Sequence, residues 1–364
     1  MGDMSRIFYD PTKPFGEQIR KIIEKTHPHT DIEEIKVRRI GKRYAIRETS
    51  PFWNGFEKMT TTDGTGTKGS IIWKEGSFNT SGSNPFAMTV DDLYEHNFEP
   101  YKLQSHLILQ EEKRDGILEA ISSLKDLCLE FKWKSPCGTL LPIIISGGET
   151  AICDTIEGME FAVTATGYAE PKDVLQAHAE IGDILIGIAS DGIHSNGLTF
   201  ARYGIFHELK MSLTDKLDWN VTIGEELSKP TRIYLEALKE LNKNFGEYIT
   251  GKVHITGGAL RKLNELSKGA VSYEVINEHM LKPQPIFHFI YEKLKVPDEE
   301  MLTRFNCGIG YVISIRKEVA EDAINLLKRH FPADIIGKVV SGRNKIRIHS
   351  PFSNTVVKFT QNKV

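Results

Sequence analysis

The sequence predicts a mixed α/β or α+β chain folded as two domains. Apolar runs of strand length alternate with amphipathic stretches of helix length, the order expected of packed sheets and helices. A length of 364 residues is enough for two cores. The strand-like "EFAVTATGY" gives way to the polar "EPKD", which sets the seam at about residue 170 and the domains at 1–170 and 171–364.

The elements follow in order. "GILEAISSLKDLCLEFK" places Ile117, Ile121, Leu124 and Cys128 on one helical face. "PIIISGGE" reads as a buried strand ending in two glycines, and "GDILIGIASDG" as a second such strand, with a helix following in "LTFARYGIF". "KPTRIYLEALKEL" predicts a helix carrying Tyr234, Ala237, Leu238 and Leu241, with Pro230 in its first turn. "VAEDAINLLKRHF" repeats that spacing with Val319, Ala323, Leu326 and Leu327. The strands "KVHIT" and "GYVISI" interleave with these helices.

Composition narrows the class. Hydrophobic residues make up 40% and charged residues 26%, as in ordinary globular proteins. The net charge is −3 with no long basic run, so no nucleic-acid partner is expected. No apolar stretch approaches a membrane span, and "MGDMSRIFYDPTKPF" lacks both a signal-peptide core and the hydroxyl residue that myristoylation favours. A membrane association is therefore not expected. Cys128, Cys137, Cys153 and Cys307 form no C-x-x-C pair and read as buried free thiols of a reducing cytoplasm.

Chemistry is concentrated in a few glycine-punctuated stretches. "TTTDGTGTKGS" groups Asp63, Gly64, Gly66, Thr67 and Lys68. Alone, its Asp-Gly reads as a surface turn. The alternative is a phosphate loop, in which glycines let N–H groups approach an anion, Lys68 adds charge and Asp63 holds a divalent ion. "FAMTVDDL" sets Asp91 beside Asp92, in a helix N-terminus or turn on the plain reading. "ISGGET" puts Gly147, Gly148 and Glu149 at a strand end. Magnesium favours a few carboxylates plus phosphate oxygens and water, so these four acids are its candidate ligands.

"SDGIHSNG" carries His194, Ser195 and Asn196 between a strand and a helix, where they can meet an anionic substrate. "HITGGAL" carries His254, Thr256, Gly257 and Gly258 ahead of a helix whose N-terminus suits a phosphate. "FNCGIG", with Asn306, is the last of these stretches. "GEYITGKV" imitates a P-loop, but Val253 stands at the hydroxyl position and a strand follows instead of a helix.

In this order, "TDGTGTK", "AMTVDDL", "GGETA", "SDGIHSNGLT", "KPTRIYLEAL", "HITGGAL" and "FNCGIGYVI" resemble the aminoimidazole ribonucleotide (AIR) synthetases, the phosphoribosylformylglycinamidine cyclo-ligases. "DGTGTK" and "GGET" recur in a wider ATP-using superfamily; "PTRIY", "HITGG" and "FNCGIG" are more typical of the cyclo-ligase. The resemblance implies a two-domain AIR-synthetase-like fold. Its N-terminal domain forms a shared β-barrel in a homodimer, and a C-terminal α/β domain packs against it. The implied reaction is ATP-dependent closure of formylglycinamidine ribonucleotide to 5-aminoimidazole ribonucleotide, releasing ADP and phosphate, in cytoplasmic de novo purine biosynthesis.

On that resemblance Asp63, Gly64, Gly66, Thr67, Lys68, Asp92, Gly147, Gly148 and Glu149 would hold ATP. Mg2+ would sit on Asp63, Asp91, Asp92 and Glu149. His194, His254 and Lys68 would be catalytic, while Ser195, Asn196, Thr256, Gly257, Gly258 and Asn306 would hold substrate. The chain departs from the family pattern in its N-terminal half. Asn84 replaces an aspartate, Asp91 replaces an asparagine, and "EPYKLQSHL" stands for "EPLFFLDYY", with Gln104 read against the aspartate. Other enzymes of the superfamily, such as a thiamine-monophosphate kinase, and a non-catalytic nucleotide-binding paralogue are the alternative readings.

Overall fold

The computed structural model describes residues 14–360 apart from Thr30, Lys42, Lys268 and Ala270. The N-terminal "FYDP" lies outside the described residues. One compact unit ends at Val174 and a second begins at Leu175.

The first unit runs α1 (Pro14–Glu24), β1 (Ile35–Ile40), β2 (Arg43–Glu48), β3 (Glu57–Gly64), α2 (Lys68–Glu75), α3 (Ser83–Glu95), β4 (Glu99–Leu109), α4 (Arg114–Glu130), β5 (Lys132–Lys134), β6 (Leu140–Pro142), β7 (Ile144–Ile152) and β8 (Met159–Ala169). Strands β3, β8, β4 and β7 form one open sheet in that order, with only β4 and β7 parallel. Burial alternates along β4 and β8. Leu103, Leu107, Phe161, Val163 and Ala165 enter the core, and Gln104, His106, Thr164 and Thr166 face away from it. Helix α3 packs on β3, β8 and β4, and α4 on α1, α3 and β7. The helical face of Ile117, Ile121, Leu124 and Cys128 is buried, as its spacing predicts. Of the four cysteines expected to be buried, Cys128 and Cys307 are, whereas Cys137 is exposed and Cys153 half-buried, because both lie in turns outside the packed elements' core faces.

Hydroxyl pairs hold the outer face: Thr62 meets Thr164 at 2.9 Å and Thr60 meets Thr166 at 3.2 Å. Side chains cover part of the β7 edge. The Ile145 N–H donates to Thr26 Oγ1 at 2.9 Å, and His27 Nε2 donates to the Ile145 carbonyl at 3.0 Å. Thr26 and His27 thus take the place of a neighbouring strand at that point.

The second unit contains β9 (Ile184–Ala189), α5 (Leu198–Tyr203), α6 (Ile223–Ser228), α7 (Leu235–Phe245), β10 (Ile249–His254), β11 (Ser272–Val275), α8 (Pro285–Lys293), α9 (Asp298–Arg304), β12 (Ile309–Ile315), α10 (Ala320–Leu327), β13 (Ala333–Val340), β14 (Lys345–His349) and β15 (Val356–Thr360). Its seven-stranded sheet has the order β10-β12-β9-β13-β11-β14-β15. Every residue of β10 and β12 is buried, which requires cover on both faces. Helix α10 packs on β9, β13 and α7, and a 3-10 helix, Ala259–Leu266, on β10 and β14. No helix among the described residues is long and apolar enough to cross a membrane.

Four local expectations change. β7 does not stop at the glycines but runs through them, so Glu149 is inside a strand. The glycines serve a bulge where Leu103 pairs with Ile145 and Gln104 with Gly147. There Gly147 has φ +152°, and a Cβ on Gly148 would press on the Ser105 carbonyl. Asp91 and Asp92 lie in the second half of α3, not at a helix start. Helix α7 begins at Leu235, five residues after Pro230, because the irregular run Lys229–Tyr234 is held by tertiary bonds described below. "LTFARYGIF" splits into α5 and a π-helical turn, Gly204–Glu208. The P-loop imitation is a 3-10 turn leading into β10, with Gly251 and Lys252 inside the strand.

Two consequences are measurable. A Cβ on Gly69 would overlap the Met159 carbonyl oxygen, where the backbone of α2 comes close to β8. Gly69→Ala should cost about 2 kcal/mol or more and lower the melting temperature by several degrees. An unchanged melting curve would refute that contact. Burial lowers the pKa of His27 below its ordinary value. The folded state therefore prefers the neutral ring. Its contribution is complete above the unfolded pKa of about 6.5 and is lost as pH falls through the folded value. His27→Gln, which keeps a donor for Ile145, should show a smaller loss of stability between pH 7.5 and 5.5 than the wild type.

Candidate functional site

In the second unit the glycine-punctuated stretches gather at one end of the large sheet. β9 and β10 finish there and β12 begins there, because both pair with β12 antiparallel. The loops after β9 and β10 therefore meet the loop before β12. Asn306 fastens them. Its Oδ1 accepts the Ser190 hydroxyl at 2.7 Å and the Gly308 N–H at 3.0 Å, and its Nδ2 donates to the Gly192 carbonyl at 3.0 Å. Expected to touch substrate, Asn306 is instead 4% exposed, with both ends of its amide engaged in this clasp.

His194 is also turned inward. Its backbone is left-handed at φ +61°, it is 4% exposed, and its Nε2 accepts the Asp191 N–H at 3.1 Å. His254 is fully buried and stacks on Tyr311 with ring centroids 5.7 Å apart. Both rings lie beside Tyr234, whose hydroxyl donates to the Ala189 carbonyl at 3.0 Å. A general acid has to reach the proton it moves. In this arrangement the two histidines shape the floor of the site rather than its surface.

The surface is formed by other groups. The half-buried Ser195 shares a hydroxyl contact of 3.1 Å with Thr231, which is itself buried and supports it. Lys262 donates to Thr256 Oγ1 at 3.0 Å. Gly257 and Gly258 are exposed, and a Cβ on Gly257 would come within 3.5 Å of Asn196 Oδ1. Hydroxyls, one ammonium and open backbone are thus collected in a small region, a donor set suited to a sugar phosphate. Arg232 braces it, donating to the carbonyls of Ala189 at 2.7 Å and Ser190 at 3.3 Å while its guanidinium lies over Phe331. Lys262 escaped the sequence reading, and Thr231 and Arg232, though inside the quoted "PTRIY", were given no role in it, because none sits beside a glycine.

The first unit carries the other motifs. Thr60–Ser70 forms strand, loop and helix in that order: β3 ends at Gly64 and α2 begins at Lys68. Glu160 of β8, which the sequence reading missed, lies under the loop and accepts the Gly66 N–H at 3.2 Å. Burial pushes its carboxyl above the usual range, and the charge of Asp63 adds to the rise. Two carboxylates are therefore adjacent at Gly64 and Gly66. Lys68, expected at a phosphate, is 1% exposed, and its ammonium donates to Asn84 Oδ1 at 3.1 Å. Thr67 precedes α2 without capping it by a side-chain bond. Asp91 is fully buried and Asp92 is half-buried, both on α3.

Gly147, Gly148 and Glu149 lie elsewhere on the same sheet. They line a cleft of about 550 Å3 with Gln104, His106 and Arg43. Across the strands the register runs Asp63, Val163, Ser105, Gly148. Three strand spacings, about 14 Å, separate Asp63 from the strand of Glu149. The four expected magnesium ligands therefore do not form one cluster, and among the described residues no group of three acidic, His or Cys side chains could hold a metal. Counted without gaps, the family's "EPLFFLDYY" also places its aspartate on the buried Ser105, not on Gln104. Gln104 faces the cleft.

Comparison with known proteins fits this layout. Residues 180–349 match the family described as AIR synthase related protein, C-terminal domain. A phosphoribosylformylglycinamidine cyclo-ligase of Thermococcus kodakarensis is 38% identical over 306 residues, covering 81% of this chain and 82% of its own. Another, from Methanocaldococcus jannaschii, is 33% identical over 310 residues, with 84% of each chain covered. The hydrogenase maturation protein HypE, solved in complex with ATP, has a TM-score of 0.58 at 14% identity, covering 97% of this chain and 94% of that one, a likeness of fold alone. The chain belongs to the phosphoribosylformylglycinamidine cyclo-ligase family.

Proposed function

We propose that the protein closes the imidazole ring of formylglycinamidine ribonucleotide, forming 5-aminoimidazole ribonucleotide with release of ADP and phosphate, in cytoplasmic purine biosynthesis. The observation that carries this reading is the meeting of the family's loops at one end of the second sheet, where Ser195, Asn196, Thr256 and Gly257 come together. Those groups and Gly258 hold the substrate, with Lys262 near its phosphate. Asn306, His194 and His254 position the loops.

ATP supplies the phosphoryl group that turns the formyl oxygen into a leaving group. The polar cleft of about 550 Å3 is within the range of ligand sites. Magnesium needs only one or two carboxylates besides phosphate and water, which suits Glu149 in the cleft or Asp63 with Glu160 at the loop. Gly64, Gly66 and Thr67 present backbone near that loop, and Asp92 stands on the helix packed against it. Positioning and charge neutralisation are what such a transfer asks of a protein.

Asp63 and Glu149 lie on opposite edge strands of one open sheet and on opposite faces of it, Asp63 in register with the buried Val163 and Glu149 with the outward His106, so within one copy they do not face a common ligand. We therefore assign the active form to a homodimer sharing a barrel, as the family pattern implies.

The test begins with ADP release from ATP, magnesium and formylglycinamidine ribonucleotide, with the product identified by mass spectrometry. Stoichiometric aminoimidazole ribonucleotide is the expected result; ATP binding without turnover would leave the non-catalytic paralogue. Asp63→Asn and Glu149→Gln should each lower kcat by about 100-fold or more. Co-expressed together they should recover about a quarter of wild-type activity, because half of randomly mixed dimers hold one intact site. No recovery would remove the shared-site assignment. Thr256→Ala should raise KM for the ribonucleotide several-fold while leaving KM for ATP unchanged.

A further inference from the structure

The cleft beside Glu149 contains a cation that none of the family motifs supplies. It comes from the hairpin of β1 and β2, "IKVRRIGKRYAIRE", which lies ahead of the first motif. We propose that Arg43 receives the polyphosphate of a nucleotide bound in this cleft, taking the part expected of Lys68. This rests on the nucleotide reading above and adds to it a residue that lies outside the quoted motifs.

Four observations support it. Lys68 is enclosed, with its ammonium on Asn84, so the phosphate cation has to come from elsewhere. Arg43 is exposed and lines the cleft of about 550 Å3 and an adjoining one of about 220 Å3, as do Gly147, Gly148 and Glu149. Arg43 has no carboxylate partner among the described residues. Arg39, on the opposite face of the same hairpin, binds Glu17 at 2.8 Å and reaches Glu24 at 3.5 Å.

The fourth observation is the charge of the whole face. In the hairpin register Lys36 pairs with Arg47, Arg38 with Ala45 and Ile40 with Arg43. Opposed residues share a face, so Lys36, Arg38, Arg43 and Arg47 lie together with no acidic residue among them. Lys36 and Arg47 oppose each other directly, an arrangement that destabilises a ribbon unless an anion comes near. A guanidinium meets two phosphate oxygens at once in fixed geometry, which an ammonium does not. Among the described residues Glu149 is the only carboxylate lining the larger cleft. Alone it would repel phosphate; with a divalent cation it binds the same chain of phosphates from the other side.

The experiment is calorimetric titration of the full-length protein with Mg·ATP and, separately, with adenosine. Wild type is compared with Arg43→Ala, Arg43→Lys and Arg47→Ala, the last on the same face but outside the cleft. Arg43→Ala should weaken ATP about tenfold and leave adenosine unchanged. Arg43→Lys should lie between, and Arg47→Ala should match wild type within about twofold. Wild-type affinity for ATP in Arg43→Ala would overturn the proposal. So would equal losses of ATP and adenosine, which would mark a change of shape, or equal losses in Arg43→Ala and Arg47→Ala, which would mark a diffuse field. Wild type that binds no ATP would overturn the nucleotide reading itself, and with it this assignment.

Discussion

The carboxamide of Asn306 holds the functional end of the second unit in place. Where strands stop, backbone carbonyls and N–H groups lose their ladder partners, and buried ones must be bonded some other way. Between Ala189 and Gly192 side chains do this. Asn306 Nδ2 takes the Gly192 carbonyl, Gln284 Nε2 the Ser190 carbonyl, and Arg232 and Tyr234 the Ala189 carbonyl. These residues come from three separate stretches of chain. Each bond contributes about 1 kcal/mol net and costs more when one partner is removed. Together they fix the loop carrying Ser195 and Asn196 before a ligand arrives. Such preorganisation lets modest surface groups act as a site.

Gly310 belongs to the same construction. It lies inside β12, and a Cβ there would overlap the Tyr234 hydroxyl and approach the His194 ring. The missing side chain lets Tyr234 reach the Ala189 carbonyl and keeps His194 and His254 close beneath the loops. The histidines do not face solvent, yet they belong to the site by setting the height of its floor. A motif therefore marks more than the residues that touch a ligand. In "HITGG" the exposed glycines are the surface and the histidine is the support.

Much of the architecture was legible because it follows from local period. Ile117, Ile121, Leu124 and Cys128 had to share a helical face, and the glycine-punctuated stretches had to fall between elements. What stayed hidden depends on partners distant in sequence. β7 continues through Gly147 and Gly148 because parallel pairing with β4 holds it, and no signal within "ISGGET" reports that pairing. The irregular run before α7 is fixed by Arg232 and Tyr234 reaching back to residue 189, which overrides the usual preference of Pro230 for a first helical turn. Glu160, Lys262 and Arg43 are single charged residues without distinctive neighbours, so only the fold shows what they face.

The burial of Lys68 explains a departure that first looks damaging. A buried ammonium is tolerated only where polar and charged groups compensate it. The family pattern carries an aspartate where this chain has Asn84 and an asparagine where it has Asp91. The two positions are seven residues apart on α3, close to two full turns, and so lie on nearly the same side of the helix. Both are buried here. The chain has therefore exchanged a carboxylate and a carboxamide along one buried stripe, keeping one of each. Asn84 supplies the oxygen that Lys68 meets at 3.1 Å, and the negative charge moves two turns along the helix. Counted residue by residue these are two lost matches to the family pattern. Counted as charge beneath the first sheet they are one conserved total, which is why the fold tolerates them together and why the phosphate-facing cation is better sought on the hairpin than at Lys68.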